Sequence, residues 1–456
     1  MAVTTEALEG QAAAVSAAGM VAPYLEDFDV FACTLPAGEP AAVKAVRRRA
    51  LERFAALGFP TTRQEDWRFT NVAPIARTAF HRKAGEPAAP ESATEVRTFP
   101  ALARLTFVDG RFAPGLSEIG ELPEGVVVAS LADALALTPE AVEPHLAQYA
   151  SFEAQPFVAL NTAFWADGAF VSLPPGAVVR EPIHLVFLSS GTAELPTIAY
   201  PRNLFLAGAH SQGTIVETYQ GTGAYFNCAV TEVVAGPDSV LDHYKVQRES
   251  TDAYHLSTFE VRGERGSHFS SHSISLGGAL VRNDVNAVLA GEGIDAILNG
   301  LYLAEGRQHV DHHMRVEHAA PHCSSHELFK GILDGKARAV FNGLIHVHPG
   351  AQKTDAKQSN RNLLLSKEAI ANSNPQLEIF ADDVKCTHGS TVGQLDDDAV
   401  FYLRSRGIGV EAARSLLTYA FASDLVERIK VDPVRHELTE FLFARLPQGE
   451  VVRQAV

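Results

Sequence analysis

Three stretches decide how this chain is read: "GPDSVLDHYKV" (Gly236–Val246), "GERGSHFSSHSISL" (Gly263–Leu276) and "GEGIDAILNGLYL" (Gly291–Leu303). Each opens with a glycine and a turn, then alternates apolar and polar residues for the length of one strand. The leading glycines are 27 and 28 residues apart. "DGKARAVFNGLIHV" (Asp334–Val347) is a later, imperfect copy. One copy has an apolar face that it cannot bury alone. Stacked copies can bury it, which is the physical basis of a solenoid. A parallel β-helix is the leading expectation for residues 156–395. A β-sandwich, also built from short alternating strands, is the alternative at this point.

Working outward, the flanks change character. In "EPAAVKAVRRRALERFAALGFP", Val43, Val46, Ala50, Phe54 and Leu57 share one helical face. Pro40 suits a first helical position, and Gly58 with Pro60 supplies the stop. "RKAGEPAAPESATEV" reads as an exposed linker, and helical spacing returns in "LADALALTPEAVEPHLAQYA". Residues 1–155 are therefore expected to be a helical or mixed region, with an Ala-rich, frayed start. Beyond residue 395, "GVEAARSLLTYAFASDLVERI" places Val410, Ala413, Leu416, Leu417, Ala420, Phe421 and Leu425 on one stripe. Asp432 and Pro433 open a last helix with Leu438, Phe441 and Leu442 on its apolar face. Residues 396–456 are expected to be helical caps or a docking platform.

The 456 residues carry a net charge of −16, with Asp and Glu in excess over Lys and Arg. That balance argues against nucleic-acid binding and against a general membrane-surface role. No apolar run reaches the length of a membrane span. The start lacks a basic signal-peptide region, so a cytoplasmic protein is expected. Cys33, Cys228, Cys323 and Cys386 are far apart and form no CxxC, so reduced thiols are expected rather than a disulfide framework.

Several motifs suggest chemistry. "GEGIDA" matches G-x-G-x-x-A at Gly291, Gly293 and Ala296, with Asp311 about 15 residues on. The fingerprint needs a helix after the glycines, and "IDAILNGLYL" alternates like a strand. In "LDGKARAV", Gly335 and Lys336 are followed by Ala337 where a phosphate loop needs a hydroxyl. No nucleophile elbow G-x-S-x-G occurs. "HVDHHMRVEHAAPHCSSHE" gathers His309, Asp311, His312, His313, His318, His322, Cys323 and His326, residue types that suit zinc or ferrous iron. On a strand, however, His322 and His326 would lie about 13 Å apart.

"DDVKCTHGSTVGQL" (Asp382–Leu395) is the most suggestive stretch. As a strand it points Val384, Cys386 and His388 to one face. Cys386 and His388 are then about 6–7 Å apart, within reach of one metal or cluster. Two ligands fall short of the four a cluster usually takes, so others would come from elsewhere, another chain included. From chemistry alone a packing role stays open.

Longer blocks carry a resemblance. "NSNPQLEIFADDVKCTHGSTVGQLDDDAVFYLRSRGI" (Asn372–Ile408) resembles the signature of the SufB/SufD family, the scaffolds of the SUF iron–sulfur cluster assembly system. "GLIHVHPGAQKTDAKQSNRNLLLS" (Gly343–Ser366), "LNTAFWADGAFVSLPPGAVVREPIHLVF" from Leu160 and "RQEDWRFTNVAPI" (Arg63–Ile75) are similar to other family blocks. The His-Gly after the Cys-x pair in "KCTHGSTVGQL" resembles the SufD-like branch, as does the "PHCSSHE" context of Cys323. Ser390 departs from the alanine often found there.

The resemblance implies a mainly β protein: a right-handed parallel β-helix core between N-terminal and C-terminal helical regions. It implies a non-enzymatic scaffold subunit that forms a heterodimer with a SufB-like paralogue. It also implies docking of a SufC-like ATPase on the C-terminal helices, where Phe401, Tyr402, Arg404, Arg406, Leu416 and Phe421 are the candidate contacts. A cysteine desulfurase would act indirectly, through the paralogue. His388 matches the histidine proposed to bind iron, and Cys386 the adjacent cysteine. The cofactor implied is a transient iron–sulfur cluster at the interface, with flavin a candidate in the assembled complex and none held tightly by the isolated chain. A homodimer is the expected fallback without the paralogue. The rival reading is a β-helix metalloenzyme or lyase using the His309–His326 cluster.

Overall fold

The computed structural model describes residues 19–455 except 37, 84, 86 and 88–98. The Ala-rich opening and most of the stretch expected as a linker, Arg82–Val96, lie outside the described residues.

The N-terminal part runs through α1 (residues 19–32), α2 (Ala41–Leu57), α3 (Ala73–Arg77), β1 (Ala103–Val108), β2 (Arg111–Phe112), β3 (Glu118–Ile119), β4 (Val127–Ser130), α4 (Leu131–Leu137), α5 (Pro139–Val142) and α6 (Pro156–Phe164). Strands follow in succession: β5 (Ala169–Leu173), β6 (Ile183–Ser190), β7 (Thr197–Ala199), β8 (Arg202–Ala207), β9 (Gln212–Thr222), β10 (Tyr225–Ala235), β11 (Val240–Arg248) and β12 (Tyr254–Gly263). Then come β13 (His268–Ser275), β14 (Leu280–Leu289), β15 (Asp295–Ala304), β16 (His309–His318), β17 (Ser324–Leu333) and β18 (Arg338–Val347). The last strands are β19 (Asp355–Leu364), β20 (Ile370–Ile379) and β21 (Lys385–Gly393). The chain ends in α7 (Asp397–Ser405), α8 (Val410–Val426), α9 (Asp432–Arg445) and α10 (Gly449–Ala455).

From β9 on, strands go alternately to two sheets. One is ordered β2-β1-β6-β9-β11-β13-β15-β17-β19-β21, the other β20-β18-β16-β14-β12-β10-β8-β5-β4. All pairs beyond β9 are parallel, and each odd strand meets the odd strand one rung later, as with Val240↔His268 and His268↔Asp295. This is a β-solenoid of about seven turns, as the repeat predicts. The three quoted copies open strands of the first sheet, whereas "DGKARAVFNGLIHV" builds β18 of the second. The period of 27–28 residues is thus one full rung of two strands.

The turns explain the glycines. A Cβ at Gly291 would lie 2.1 Å from the Arg265 nitrogen of the rung before, so only glycine allows that approach. Gly293, two residues on, is at φ 73°, and the equivalent turn in the next rung puts His322 at φ 61°. A strand, not a helix, follows Gly293, so the "GEGIDA" glycines serve a solenoid turn.

Inward-facing residues such as Leu241, Phe269, Leu298, Phe329 and Phe341 form one continuous core between the sheets. Each such side chain, fully buried, stabilises the fold by about 1.5–3 kcal/mol relative to exposure. The outward faces are covered differently. Helices α2, α4 and α6 pack on the second sheet through Phe54, Leu131, Phe157 and Phe164 against Phe170, Leu204, Phe226 and Leu256. Arg47, which shares the helical face of Val43, Ala50 and Phe54, is buried with them, donating to the carbonyls of Ala163 at 3.2 Å and Trp165 at 2.7 Å. Pro40 stands just before the helix rather than inside it.

On the first sheet, α8 and α9 cover Val216, Tyr244, Ile274, Leu301 and Ile332. The buried stripe of α8 is Ala412, Ala413, Ser415, Thr418, Ala422, Leu425 and Val426. Val410 and Ala420, expected on it, are exposed, and Leu416 and Phe421 are half-buried. A flat sheet lets a helix approach closest where its side chains are small, so the contact face rotates toward Ala, Ser and Thr. In α9, Leu438 and Leu442 are buried as expected.

Candidate functional site

The two ends of the solenoid differ. At the start, antiparallel β2, β3 and β4 lie against β1 and β5. At the far end, among the described residues, β20 and β21 each pair with one neighbouring strand, β18 and β19. Their outer edges present unpaired backbone groups, a template for another strand or chain. Ile370, Ile379, Phe380 and Val392 are exposed around this end.

Cys386 and His388 lie on β21. Cys386 is opposite Ala356 and His388 opposite Gln358 of β19. Alternation places Ala356, Gln358, Asn360 and Asn362 inward, where they are buried. Cys386, His388, Ser390 and Val392 continue these rows, but no further rung among the described residues covers them. His388 is consequently exposed, and Cys386 half-buried. The Cys386 thiol packs with Ile345, Val347, Ala351, Ala356 and Ala381. Burial pushes its pKa up, the Asp355 charge adds to this, and a backbone hydrogen bond at Ala356 opposes it. The isolated chain thus keeps Cys386 as a thiol, and a positive or metallic neighbour is needed to draw out the thiolate.

Only Gln394–Asp396 separate β21 from α7. Asp396 caps α7 by accepting the Asp398 N–H at 2.9 Å, and Asp397 and Asp398 suit its positive end. Phe401, Tyr402, Arg404 and Arg406 are exposed on this helix and its end. Arg406 donates to the Tyr402 hydroxyl at 3.0 Å. Leu416 and Phe421 sit on α8, where the Phe421 carbonyl accepts from Lys330 of β17 at 2.8 Å.

Strand geometry splits the histidine cluster. His312 and His318 point inward and are buried, whereas His309, Asp311 and His313 point outward. His312 lies between the rings of Tyr302 and Phe329, and burial lowers its pKa to about 3. His318 meets Ser325 at 2.9 Å. Asp311 is gripped by Arg282 at 3.0 Å and by Thr70 at 2.5 Å. Despite the opposing effect of burial, the Arg282 charge holds its carboxyl well below the usual range. His322 is at an exposed turn, and the Cys323 thiol donates to the Gly291 carbonyl at 3.2 Å. Among the described residues, no three His, Cys, Asp or Glu side chains form a metal-holding group.

Arg282 and Asp311 instead form a clasp. Trp67 stacks on Arg282 at 3.8 Å, and Arg282 donates to the Asp66 carbonyl at 2.6 Å. The "RQEDWRFTNVAPI" segment is thereby held on the second sheet. A groove of about 600 Å³ beside it is lined by Trp67, Phe157, Asp284, His313 and Arg315 and extends along the second sheet to Gln376 and Glu378 of β20.

Sequence reading missed a buried polar interior. Arg202 pairs with Glu232 at 2.6 Å, His243 with Glu217 at 3.2 Å and His255 with Glu249 at 2.8 Å, all shielded from solvent. Lys245 reaches Asn283 at 2.7 Å, and burial lowers its pKa to about 8. The signal was available: period two puts His243 and Lys245 on the face of Leu241, which is core. All four cysteines are free, as expected.

Fold and site define a class: a β-solenoid flanked at its start by short antiparallel strands, with a cysteine and a histidine on its last rung. A family model for the SufBD protein N-terminal region matches residues 20–185. One described as SUF system FeS cluster assembly, SufBD core domain, matches residues 187–421. An iron-sulfur cluster assembly SufBD family protein of Synechocystis sp. is 33% identical, over 88% of this chain and 90% of the relative. The iron-sulfur cluster assembly protein SufD of Escherichia coli is 32% identical over 88% and 92%. SufD of Bacillus subtilis is 27% identical over 89% and 94%. The chain belongs to the SufBD family, and this membership supports a role in iron–sulfur cluster assembly. Among the described residues, no helix is long and apolar enough to cross a membrane.

Proposed function

We propose that the chain is a non-enzymatic, cytoplasmic scaffold subunit that pairs with a SufB-like paralogue through the open end of its solenoid. The paralogue's last rung would cover β20 and β21 and complete their hydrogen bonding. A labile iron–sulfur cluster, the cargo of the system, would form in the seam. His388 would supply a neutral imidazole to iron there. Cys386 would join as thiolate once the partner or the metal stabilises that charge. Few ligands from this chain suit a cluster that must later be released.

A SufC-like ATPase would dock on the C-terminal helices. The lever is structural: α7 continues directly from β21, and Lys330 ties α8 to β17. Movement of these helices on nucleotide binding would shift the strand carrying His388. Sulfur would arrive from a cysteine desulfurase through the paralogue.

The observation that carries this reading is the exposure of His388 on a terminal strand paired on one edge, in the row that is buried one rung earlier. The test is co-expression with the paralogue and the ATPase, purification without air and cluster reconstitution. His388→Ala is expected to leave the complex assembled and to abolish cluster formation. Normal cluster yield from that variant would refute the role of His388. A stable homodimer that excludes the paralogue would refute the pairing.

A further inference from the structure

Glu327, Gln358 and His388 stand in one register row across β17, β19 and β21. Glu327 and Gln358 are buried. The Gln358 amide donates from Nε2 to Glu327 Oε2 at 2.9 Å. That acceptor serves whether or not the acid carries a proton on its other oxygen. With Nε2 so committed, the carbonyl oxygen Oε1 is the free end of the amide. It is buried, and it has no hydrogen-bond partner among the described residues.

The space for this amide is built. Across the interior stands Gly343 of β18, where a Cβ would lie 2.3 Å from Nε2 and 2.7 Å from Oε1. Any larger residue would displace the amide. Among the described residues the rung beyond Gln358 is β21, and its residue in register is His388. A buried acceptor without a partner thus stands in register with the exposed His388, one rung in.

We propose that Gln358 is a positioning residue for His388: its carbonyl oxygen accepts the ring N–H facing the solenoid, so that the unprotonated nitrogen faces the seam. This rests on the reading of His388 as an iron ligand. A ligating histidine donates its second ring N–H to a carbonyl or carboxylate, which fixes the tautomer. Loss of such a partner weakens metal binding by about 10–100-fold. Glu327 acts one step further back, holding the amide the right way round.

The test has two readouts. In the isolated full chain with ¹⁵N-labelled histidine, the ring nitrogen shifts of His388 report its tautomer. Wild type is expected to show one dominant tautomer, and Gln358→Met a mixture near that of free imidazole. In the anaerobic complex with the paralogue and the ATPase, Gln358→Met is expected to lower ferrous iron affinity at least tenfold. Gln358→Glu, which keeps an acceptor, is expected to restore it. The double variant Glu327→Leu/Gln358→Met removes the stranded acid, so that a folding defect is not mistaken for lost positioning. It is expected to bind iron as weakly as Gln358→Met. Unchanged His388 shifts in both Met variants would overturn the proposal. If His388→Ala itself leaves iron binding intact, the ligand reading fails, while the shifts still decide whether Gln358 orients the ring.

Discussion

Lys330 of β17 donates to the carbonyl oxygen of Phe421 at 2.8 Å and also pairs with Asp424. One ammonium thus fastens α8 to the outer face of the first sheet. Its ring neighbour is Phe421, at 4.9 Å, and the carbon stem of Lys330 is buried. Lys330→Met keeps that stem and removes the charge. Charge-assisted hydrogen bonds of this kind contribute about 1.5–3 kcal/mol. The variant should lose about that much stability in urea unfolding, and Asp424→Asn less, because Asp424 is half-exposed. Equal stability of Lys330→Met and wild type would show that α8 is held by its apolar face alone.

Much of the fold was legible because a solenoid repeats one local rule. The glycine spacing and the period-two alternation of β11, β13 and β15 depend on neighbours one rung away. Facts set by surfaces far apart in sequence were not legible. Helical spacing puts Arg47 on the face of Val43, Ala50 and Phe54, but the carbonyls of Ala163 and Trp165 that satisfy it there lie more than 100 residues away. The face of α8 that packs is chosen by strands such as β17, about 90 residues earlier in the chain. At the site, the sequence placed Cys386 and His388 on one strand face. What it could not show was that β21 is the last rung, which leaves His388 exposed where Gln358 is buried.

Glu232 anchors the loop after α5 to the solenoid. Its carboxylate accepts the N–H groups of Ala147 at 2.9 Å, Tyr149 at 2.8 Å and Ala150 at 2.9 Å, and pairs with Arg202 at 2.6 Å. Ala147 is held at φ 58°, a conformation an alanine adopts only under constraint. Glu232→Gln weakens the pair and leaves the Arg202 charge buried without its counter-charge. Removing one partner of a buried pair costs about 3–5 kcal/mol. Thermal or urea unfolding should show that loss. A change under 1 kcal/mol would mean that Asn161 and Thr162, which also accept from Arg202, suffice.

Glu260 gives the stability curve an alkaline edge. Burial raises its pKa to about 8, and the charges of Glu232 and Asp284 add to this against the Asn286 hydrogen bond. A carboxyl whose folded pKa is raised holds its proton longer in the native state. Its contribution is whole below the ordinary value of 4.5, declines as pH rises and is gone above about 8. Glu260→Gln cannot ionise. Relative to wild type it should therefore gain at least about 1 kcal/mol between pH 5 and pH 8.5. Urea unfolding of both proteins at the two pH values checks this, and a constant difference would show that Glu260 stays ionised throughout.

Cys386 should be a sluggish nucleophile in the isolated chain. Cys228 and Cys323 are buried, so in a Cys33→Ser variant the accessible thiol is Cys386. Burial raises its pKa above the ordinary thiol value, which leaves less thiolate at neutral pH than a free cysteine has. Alkylation by iodoacetamide should accordingly be slow at pH 7, with a midpoint above that of a free cysteine. Removing the neighbouring negative charge with Asp355→Asn should move the midpoint down, because that charge opposes the thiolate. A midpoint at or below the ordinary value would mean that the terminal rung opens readily to water. The half-buried thiol would then need no partner to become a ligand.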